Sequence, residues 1–279
     1  MNRYIPIIGI LAIALTAGAQ ERIIGGEPAP AGTYKFFTTI TKEDGAHICG
    51  GALIAAQWVL TAAHCIRDQS PYYVQIGIDE YRPELISDER GEIADVFIPK
   101  DFKGWQPYSA ESKNERNRGQ YDIALLKLKE PAKSTNFLTL DKHLREQVGE
   151  IVTLPGFGRI ESGAMPDHLY HADGPILETR RCIEVPEGYP DTNFDPALNV
   201  CGPDISAGGD SGGPLLSRRN GEFIGLGLVS RGLIESGQFT RISFFQDWMD
   251  VIMNSDKCKE FETLAKGIRV CSAIPAHEK

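Results

Sequence analysis

Short runs of β-branched and aromatic residues alternate along this chain with turn-forming glycine, proline, asparagine and aspartate. This punctuation limits it to folds built from strands. The runs are FFTTIT, GGALIAAQWVLTAA, YYVQIGI, IADVFI, DIALLKLK, EIVTLPGFG, GPLLS, EFIGLGLVS and QFTRIS. Asn220-Gly221 separates PLLSRR from EFIGLGLVS and predicts a tight hairpin, because both residues tolerate the left-handed backbone of such a turn. A helical period emerges only late. Ser243 and Gln246 stand at capping-box spacing, and Phe244, Trp248, Val251 and Ile252 follow at helical intervals. The pattern predicts an all-β fold, barrel or sandwich, closed by a C-terminal helix that docks by its apolar stripe.

Two stretches interrupt the pattern. Residues 100–120 are charged and polar, and 184–199 are rich in proline and acids; both read as surface loops inserted between strands. At the N-terminus Arg3 precedes the apolar run IPIIGILAIALTAGA, and Ala17-Gly18-Ala19 has the small-residue spacing of a cleavage site. Residues 1–19 therefore read as a signal peptide, and the mature chain as a secreted, extracellular protein with no membrane attachment once the signal is removed. The net charge of −9 argues against nucleic acid as a partner, because phosphate binding needs clustered Lys and Arg.

The six cysteines are Cys49, Cys65, Cys182, Cys201, Cys258 and Cys271. An even number in a secreted chain predicts three disulfides, whose pairing the spacing alone leaves open. No C-x-x-C pair or H-E-x-x-H motif is present, so zinc is not expected. His168 and His171, in HLYH, read as surface-loop residues.

The segment GGDSGGPL, ending at Leu215, carries the chemistry. A nucleophilic serine needs backbone N–H groups beside it to hold an oxyanion, and glycine gives the backbone the required freedom. Gly209-x-Ser211-x-Gly213 also fits the nucleophile elbow of α/β-hydrolases, but those need an acid and then a histidine after the serine. The only histidine after Ser211 is His277. Upstream stand His64 in LTAAHC and Asp122 in YDIALLKL. The order His, Asp, Ser excludes the esterase or lipase reading.

These segments, with RIIGG at 22–26, CGGALI, GFG and LVSRG in the same order, resemble the trypsin/chymotrypsin family of serine proteases from Ile23 to about Asn254. The resemblance implies two six-stranded Greek-key β-barrels with a C-terminal helix, joined near residue 140. The peptidase domain would span 23–254, after a three-residue activation peptide, 20–22. It further implies a catalytic triad of His64, Asp122 and Ser211, with an oxyanion hole from the Gly209 and Ser211 amides. Ser230 supports Asp122, and Gly232 pairs with substrate backbone. Cleavage after Arg22 would free the Ile23 amine to pair with Asp210. The expected activity is hydrolysis of protein or peptide substrates through an acyl-enzyme, by a monomer that needs no cofactor or metal and is open to protein inhibitors. The alternative is a non-catalytic homologue that binds a partner through its loops.

By the same resemblance, Cys49 pairs with Cys65 and Cys182 with Cys201. A third family bridge is missing at both ends: Ala207 occupies one position, and LIES, between Gly232 and Gly237, has no cysteine. Cys258 and Cys271 then pair with each other in an extension, 255–279, that stands apart from catalysis. Where the family binds calcium, Ile78 replaces a carboxylate, so Asp88, Glu89 and Glu92 read as a solvated acidic loop. Counting six back from Ser211 puts the floor of the specificity pocket at Ile205, with Gly232 and Gly237 as walls. That favours apolar residues before the scissile bond, since an apolar floor offers a substrate cation no counter-charge. A register one residue shorter puts Asp204 there and favours Arg or Lys.

Overall fold

The computed structural model describes residues 26–66, 72–82, 90–102, 120–143, 146–160, 162–184, 193–233, 235–255, 261–263 and 269–273. The signal segment, Arg22, Ile23, Asp88, Glu89 and Cys258 lie outside them, as do the centres of both predicted loops. Strand β1 (Glu27–Pro28) precedes β2 (Phe37–Thr41), β3 (His47–Ala55), β4 (Trp58–Thr61), β5 (Tyr73–Ile76), β6 (Arg90–Pro99) and β7 (Ala124–Leu128). Strands β2 to β7 close on themselves in the order β2-β3-β4-β7-β6-β5, a six-stranded barrel. Ile40, Leu53, Val59, Val74, Val96 and Leu126 fill its interior. The run GGALIAAQWVLTAA makes two strands of this barrel, because the chain reverses at Ala56-Gln57 and pairs Trp58 with Ala55.

The second half holds β8 (Thr139–Leu140), β9 (Ile151–Gly156), β10 (Tyr170–Pro175), β11 (Asn199–Gly202), β12 (Pro214–Arg219), β13 (Glu222–Leu233) and β14 (Ser236–Arg241). Six of these run antiparallel in the order β10-β9-β12-β13-β14-β11, with β1 on β10 and β8 on β13. The ends of this path approach where Leu177 N–H donates to the Cys201 carbonyl at 2.9 Å. Val152, Leu154, Val200, Leu215, Leu226 and Phe239 form its core. The predicted hairpin joins β12 to β13, with Asn220 at φ 53° and Gly221 at φ 85°. Disulfides link Cys49 to Cys65 and Cys182 to Cys201, the latter tying the short helix α1 (Arg180–Ile183) to β11.

A third apolar cluster fills the seam. Trp58, Leu60 and Leu125 of the first barrel meet Leu228, Phe245, Trp248 and Ile252. Helix α2 (Gln246–Ser255) supplies the last two and follows a 3₁₀ turn, Ile242–Phe245. The predicted cap Ser243 therefore lies inside that turn, and the helix starts later than its pattern suggested. Trp248 and Ile252 are buried as expected, whereas Val251 is exposed. Burying a side chain the size of Phe245 or Ile252 contributes roughly 1.5–3 kcal/mol, so the seam is a principal source of cohesion. No helix among the described residues is long and apolar enough to cross a membrane.

The extension adds two strands to the first half. Its strands β15 (Phe261–Thr263) and β16 (Arg269–Ala273) pair with each other, and β16 runs parallel to Asp95–Pro99 of β6. It thus returns across the molecule to widen the sheet of the first barrel. His171 also departs from its predicted place in a surface loop. It lies in β10, where its Nδ1 meets Tyr34 Oη at 2.6 Å.

Candidate active site

The site forms where three segments reach the seam. After β4 the chain makes a short 3₁₀ turn, Ala63–Cys65, that carries His64 and is tied down by the Cys49–Cys65 bridge. Tyr121, at φ 57°, takes a left-handed turn just before β7. Its ring packs edge-on against Phe244 and Phe245, which holds the turn that delivers Asp122. Ser211 lies in the loop before β12. That loop is hydrogen-bonded to both halves: Gly50 N–H of β3 donates to the Ser211 carbonyl at 2.8 Å, and Gly212 N–H donates to the Val229 carbonyl of β13 at 2.8 Å.

Asp122 is fully buried, and its carboxylate collects three donors. His64 Nδ1 lies 2.7 Å from Oδ2, the His64 backbone N–H donates to Oδ1 at 2.9 Å, and Ser230 Oγ donates to Oδ2 at 2.6 Å. Thr240 Oγ1 adds a bond to the Asp122 carbonyl at 2.9 Å. An ionised carboxylate only accepts, so Nδ1 carries a proton and Nε2 is left to take one. Cys49 and Cys65 lie close to the His64 ring, but their sulfurs are bonded to each other and are not thiolates for a metal.

Gly209 is at φ 111°, and a Cβ there would lie 3.1 Å from Gly158 Cα. Only glycine meets both conditions. The Gly209 carbonyl accepts from His47 Nε2 at 2.9 Å, which fixes the peptide unit following the glycine. His47 is buried deeply enough to lower its pKa to about 4, against the opposing pull of that carbonyl.

Asp210, next to Ser211, is fully buried. Its Oδ1 accepts Gly158 N–H at 2.7 Å and its Oδ2 accepts Ala207 N–H at 2.8 Å. Burial pushes its pKa up to about 7, with both hydrogen bonds opposing. The GFG motif exists for this carboxyl: a Cβ on Gly158 would lie 2.2 Å from Oδ2.

Two hollows meet at His64 and Ser211. One, about 300 Å³, is lined by Lys42, Ile48, Tyr72 and the Cys49–Cys65 bridge. The other, about 370 Å³, is lined by Ser206, Ala207, Gly208, Ser230, Arg231 and Gly232. Among the described residues, no acidic side chain lines the larger hollow. Ile205 packs with Phe239 and Val229 in the core of the second half. Asp204 is exposed, and its carboxyl is raised by partial burial and by Glu235. Gly232 faces open space, while a Cβ on Gly237 would strike Phe239 and the Pro203 carbonyl.

His64, Asp122, Ser211 and Ser230 thus meet in one place, while Ile23 lies outside the described residues. Glu92, expected in a solvated acidic loop, lies instead in β6, where its exposed carboxylate is engaged by Lys129. His47, Thr240 and Arg231 were not singled out by sequence. His47 and Arg231 did sit in or beside quoted motifs, two residues before Cys49 and within LVSRG, but nothing in those strings shows what they touch.

Residues 23–249 match the family described as Trypsin. The chain belongs to the trypsin family. Serine protease SSP1 of Scolopendra subspinipes is 31% identical over 253 residues, 82% of each chain. Serine proteinase stubble of Drosophila melanogaster is 30% identical over 258 residues, 84% of this chain, but this chain spans only 31% of that protein. Among solved structures, the secreted serine protease VesC from Vibrio cholerae superposes with a TM-score of 0.66 at 24% identity, covering 81% of this chain and 47% of that one. That likeness concerns the fold. With the trypsin family assigned, the closed barrel, the second antiparallel sheet and the terminal helix are its architecture, and the chain carries a serine protease domain.

Proposed function

We propose that this protein is a secreted serine endopeptidase, made as a precursor and activated by cleavage after Arg22. The observation that carries the reading is the buried carboxylate of Asp122, which holds the His64 ring at 2.7 Å beside a cleft that Ser211 also lines. In this reading Ser211 attacks the scissile carbonyl. His64 takes the serine proton at Nε2 and delivers it to the leaving amine, while Asp122 fixes the tautomer and stabilises the imidazolium. The Gly209 and Ser211 amides hold the oxyanion. Water then repeats the sequence on the acyl-enzyme and releases the acid.

Activation follows from Asp210. A buried carboxylate beside the nucleophile needs a cation, and the freed Ile23 ammonium supplies one. Among the described residues, the larger hollow has no acidic side chain and Arg231 lies along it, which supports apolar residues over Arg or Lys before the scissile bond.

The test is direct. The form beginning at Ile23 should react with a serine-directed fluorophosphonate at Ser211 and cleave a Leu peptide faster than its Arg counterpart. Ser211→Ala should remove labelling and lower turnover by about a million-fold, as triad deletions do in an unrelated serine protease. An unlabelled, inactive wild type would make the chain a binding homologue.

A further inference from the structure

Both peptide units that flank Gly209 are pinned from outside their own loop. The Gly208 carbonyl accepts Arg159 N–H at 2.9 Å, and the Gly209 carbonyl accepts His47 Nε2 at 2.9 Å. In a trans peptide the N–H points away from the carbonyl, so the first bond sets the direction of the Gly209 N–H. The second keeps the residue from turning, which glycine would otherwise do easily.

His47 is itself set by Tyr81. The phenol oxygen accepts the His47 backbone N–H at 2.7 Å and donates to the Gly45 carbonyl at 2.6 Å. It thereby clamps the start of β3 on both sides of Ala46. The Tyr81 ring packs edge-on against the His47 ring, with centroids 5.6 Å apart, and tilted against Phe157 at 5.7 Å. Tyr81 is buried, and its backbone is fixed from the second half of the chain. Its N–H donates to the Asp167 carbonyl at 2.8 Å, and Leu169 N–H donates to the Asp79 carbonyl at 2.8 Å.

We propose that Tyr81 is a positioning residue for the oxyanion hole, acting through His47 on the Gly209 amide. Tyr81 lines neither hollow beside Ser211, so its effect falls on how the amide meets an oxyanion and not on how a peptide is bound. The inference rests on the reading of this cleft as a peptidase site with Gly209 as an oxyanion donor.

The experiment compares wild type, Tyr81→Phe, His47→Ala and the double variant, all in the form beginning at Ile23. Tyr81→Phe keeps the ring contacts and removes both hydrogen bonds of the phenol. It should lower kcat on a chromogenic peptide by about tenfold with KM little changed, less than the roughly hundredfold lost with an oxyanion donor itself. Affinity for a peptidyl trifluoromethyl ketone, whose adduct with Ser211 puts an oxyanion at the Gly209 amide, should fall by the same factor. Binding of the uncleaved peptide to the Ser211→Ala forms should not fall. His47→Ala should lower kcat as well, and adding Tyr81→Phe to it should cost little more, because both act on one bond. A tyrosine that only supports the fold would not separate the ketone from the peptide. An unchanged kcat, equal losses for ketone and peptide, or full additivity with His47→Ala overturns the proposal. Hydrogen exchange followed by mass spectrometry needs no turnover, and peptides covering 207–213 should exchange faster in Tyr81→Phe than in wild type. A wild type inert to the fluorophosphonate would therefore count against the endopeptidase alone, and unchanged exchange at 207–213 against Tyr81.

Discussion

Ser230 Oγ donates to Asp122 Oδ2 at 2.6 Å, and the bond runs from the strand β13 of one half to the loop before β7 of the other. The acid that orients His64 is thus held from both sides of the seam. Ser230→Ala leaves Asp122 its two donors from His64. Loss of one hydrogen bond to a charged group should lower kcat by about tenfold, with KM little changed. Asp122→Asn should be far worse, about ten-thousand-fold, because it permits the wrong tautomer. Steady-state kinetics on a chromogenic peptide measures both. A kcat untouched by Ser230→Ala would remove Ser230 from the supporting role.

If cleavage after Arg22 brings the Ile23 amine to Asp210, the precursor and the cut form should respond differently to pH. Its folded pKa of about 7 lies above the ordinary carboxylate value of about 3.9, so folding favours the neutral acid. That contribution is complete below about pH 4 and is lost as pH rises to 7, at about 1.4 kcal/mol per unit. An Ile23 ammonium holding the carboxylate charged cancels the loss in the cut form. The difference in Tm between the cut form and the precursor starting at Gln20 should widen from pH 4 to 7. A constant difference would mean that Ile23 does not reach Asp210.

His47 predicts an acid sensitivity of opposite sign. Its pKa falls from about 6.5 to about 4 on folding, so its contribution is present above about 6.5 and is lost as pH drops through 4. His47→Gln keeps a donor for the Gly209 carbonyl and does not titrate. Thermal melts from pH 7 to 4 should show a shallower decline for the variant, by up to roughly 3 kcal/mol over the window. Superimposable curves would show that His47 is not the group responsible.

Much of this site was legible because its chemistry requires particular residues at particular spacings. The GGDSGGPL segment, the histidine ahead of Cys65 and the acid just before β7 all read directly. Strand β10 did not. YHADGP has no strand pattern, and only its pairing with β9 from Tyr170↔Gly156 to Pro175↔Ile151 makes it one. The surroundings of Ile205 were also hidden. Counting from Ser211 places a residue along the chain, but it does not say whether the side chain turns to the cleft or, as here, packs in the core. His47 looked like any histidine in a strand, since its role depends on a glycine far away in sequence.

The sequence placed the extension apart from catalysis, and β16 is a strand of the first barrel's sheet. A chain ending at Asn254 should retain its kcat within about threefold, since among the described residues none of the site comes from the tail. Its cost should appear in β6. Hydrogen exchange followed by mass spectrometry should show faster exchange in peptides covering Asp95–Pro99, together with a lower Tm. Unchanged exchange there would take β16 out of the sheet.

The pairing of β16 with β6 also sets an order of events during synthesis. Residues 95–99 leave the ribosome long before residues 269–273, and the entire second half of the domain is made between them. Until then this stretch of β6 carries backbone groups without their final partner, and an uncovered strand edge invites pairing with other chains. Parallel contacts between such distant segments also form slowly. The strand that covers this edge is therefore made after both halves of the cleft, and the nascent protein must protect an open sheet while it waits.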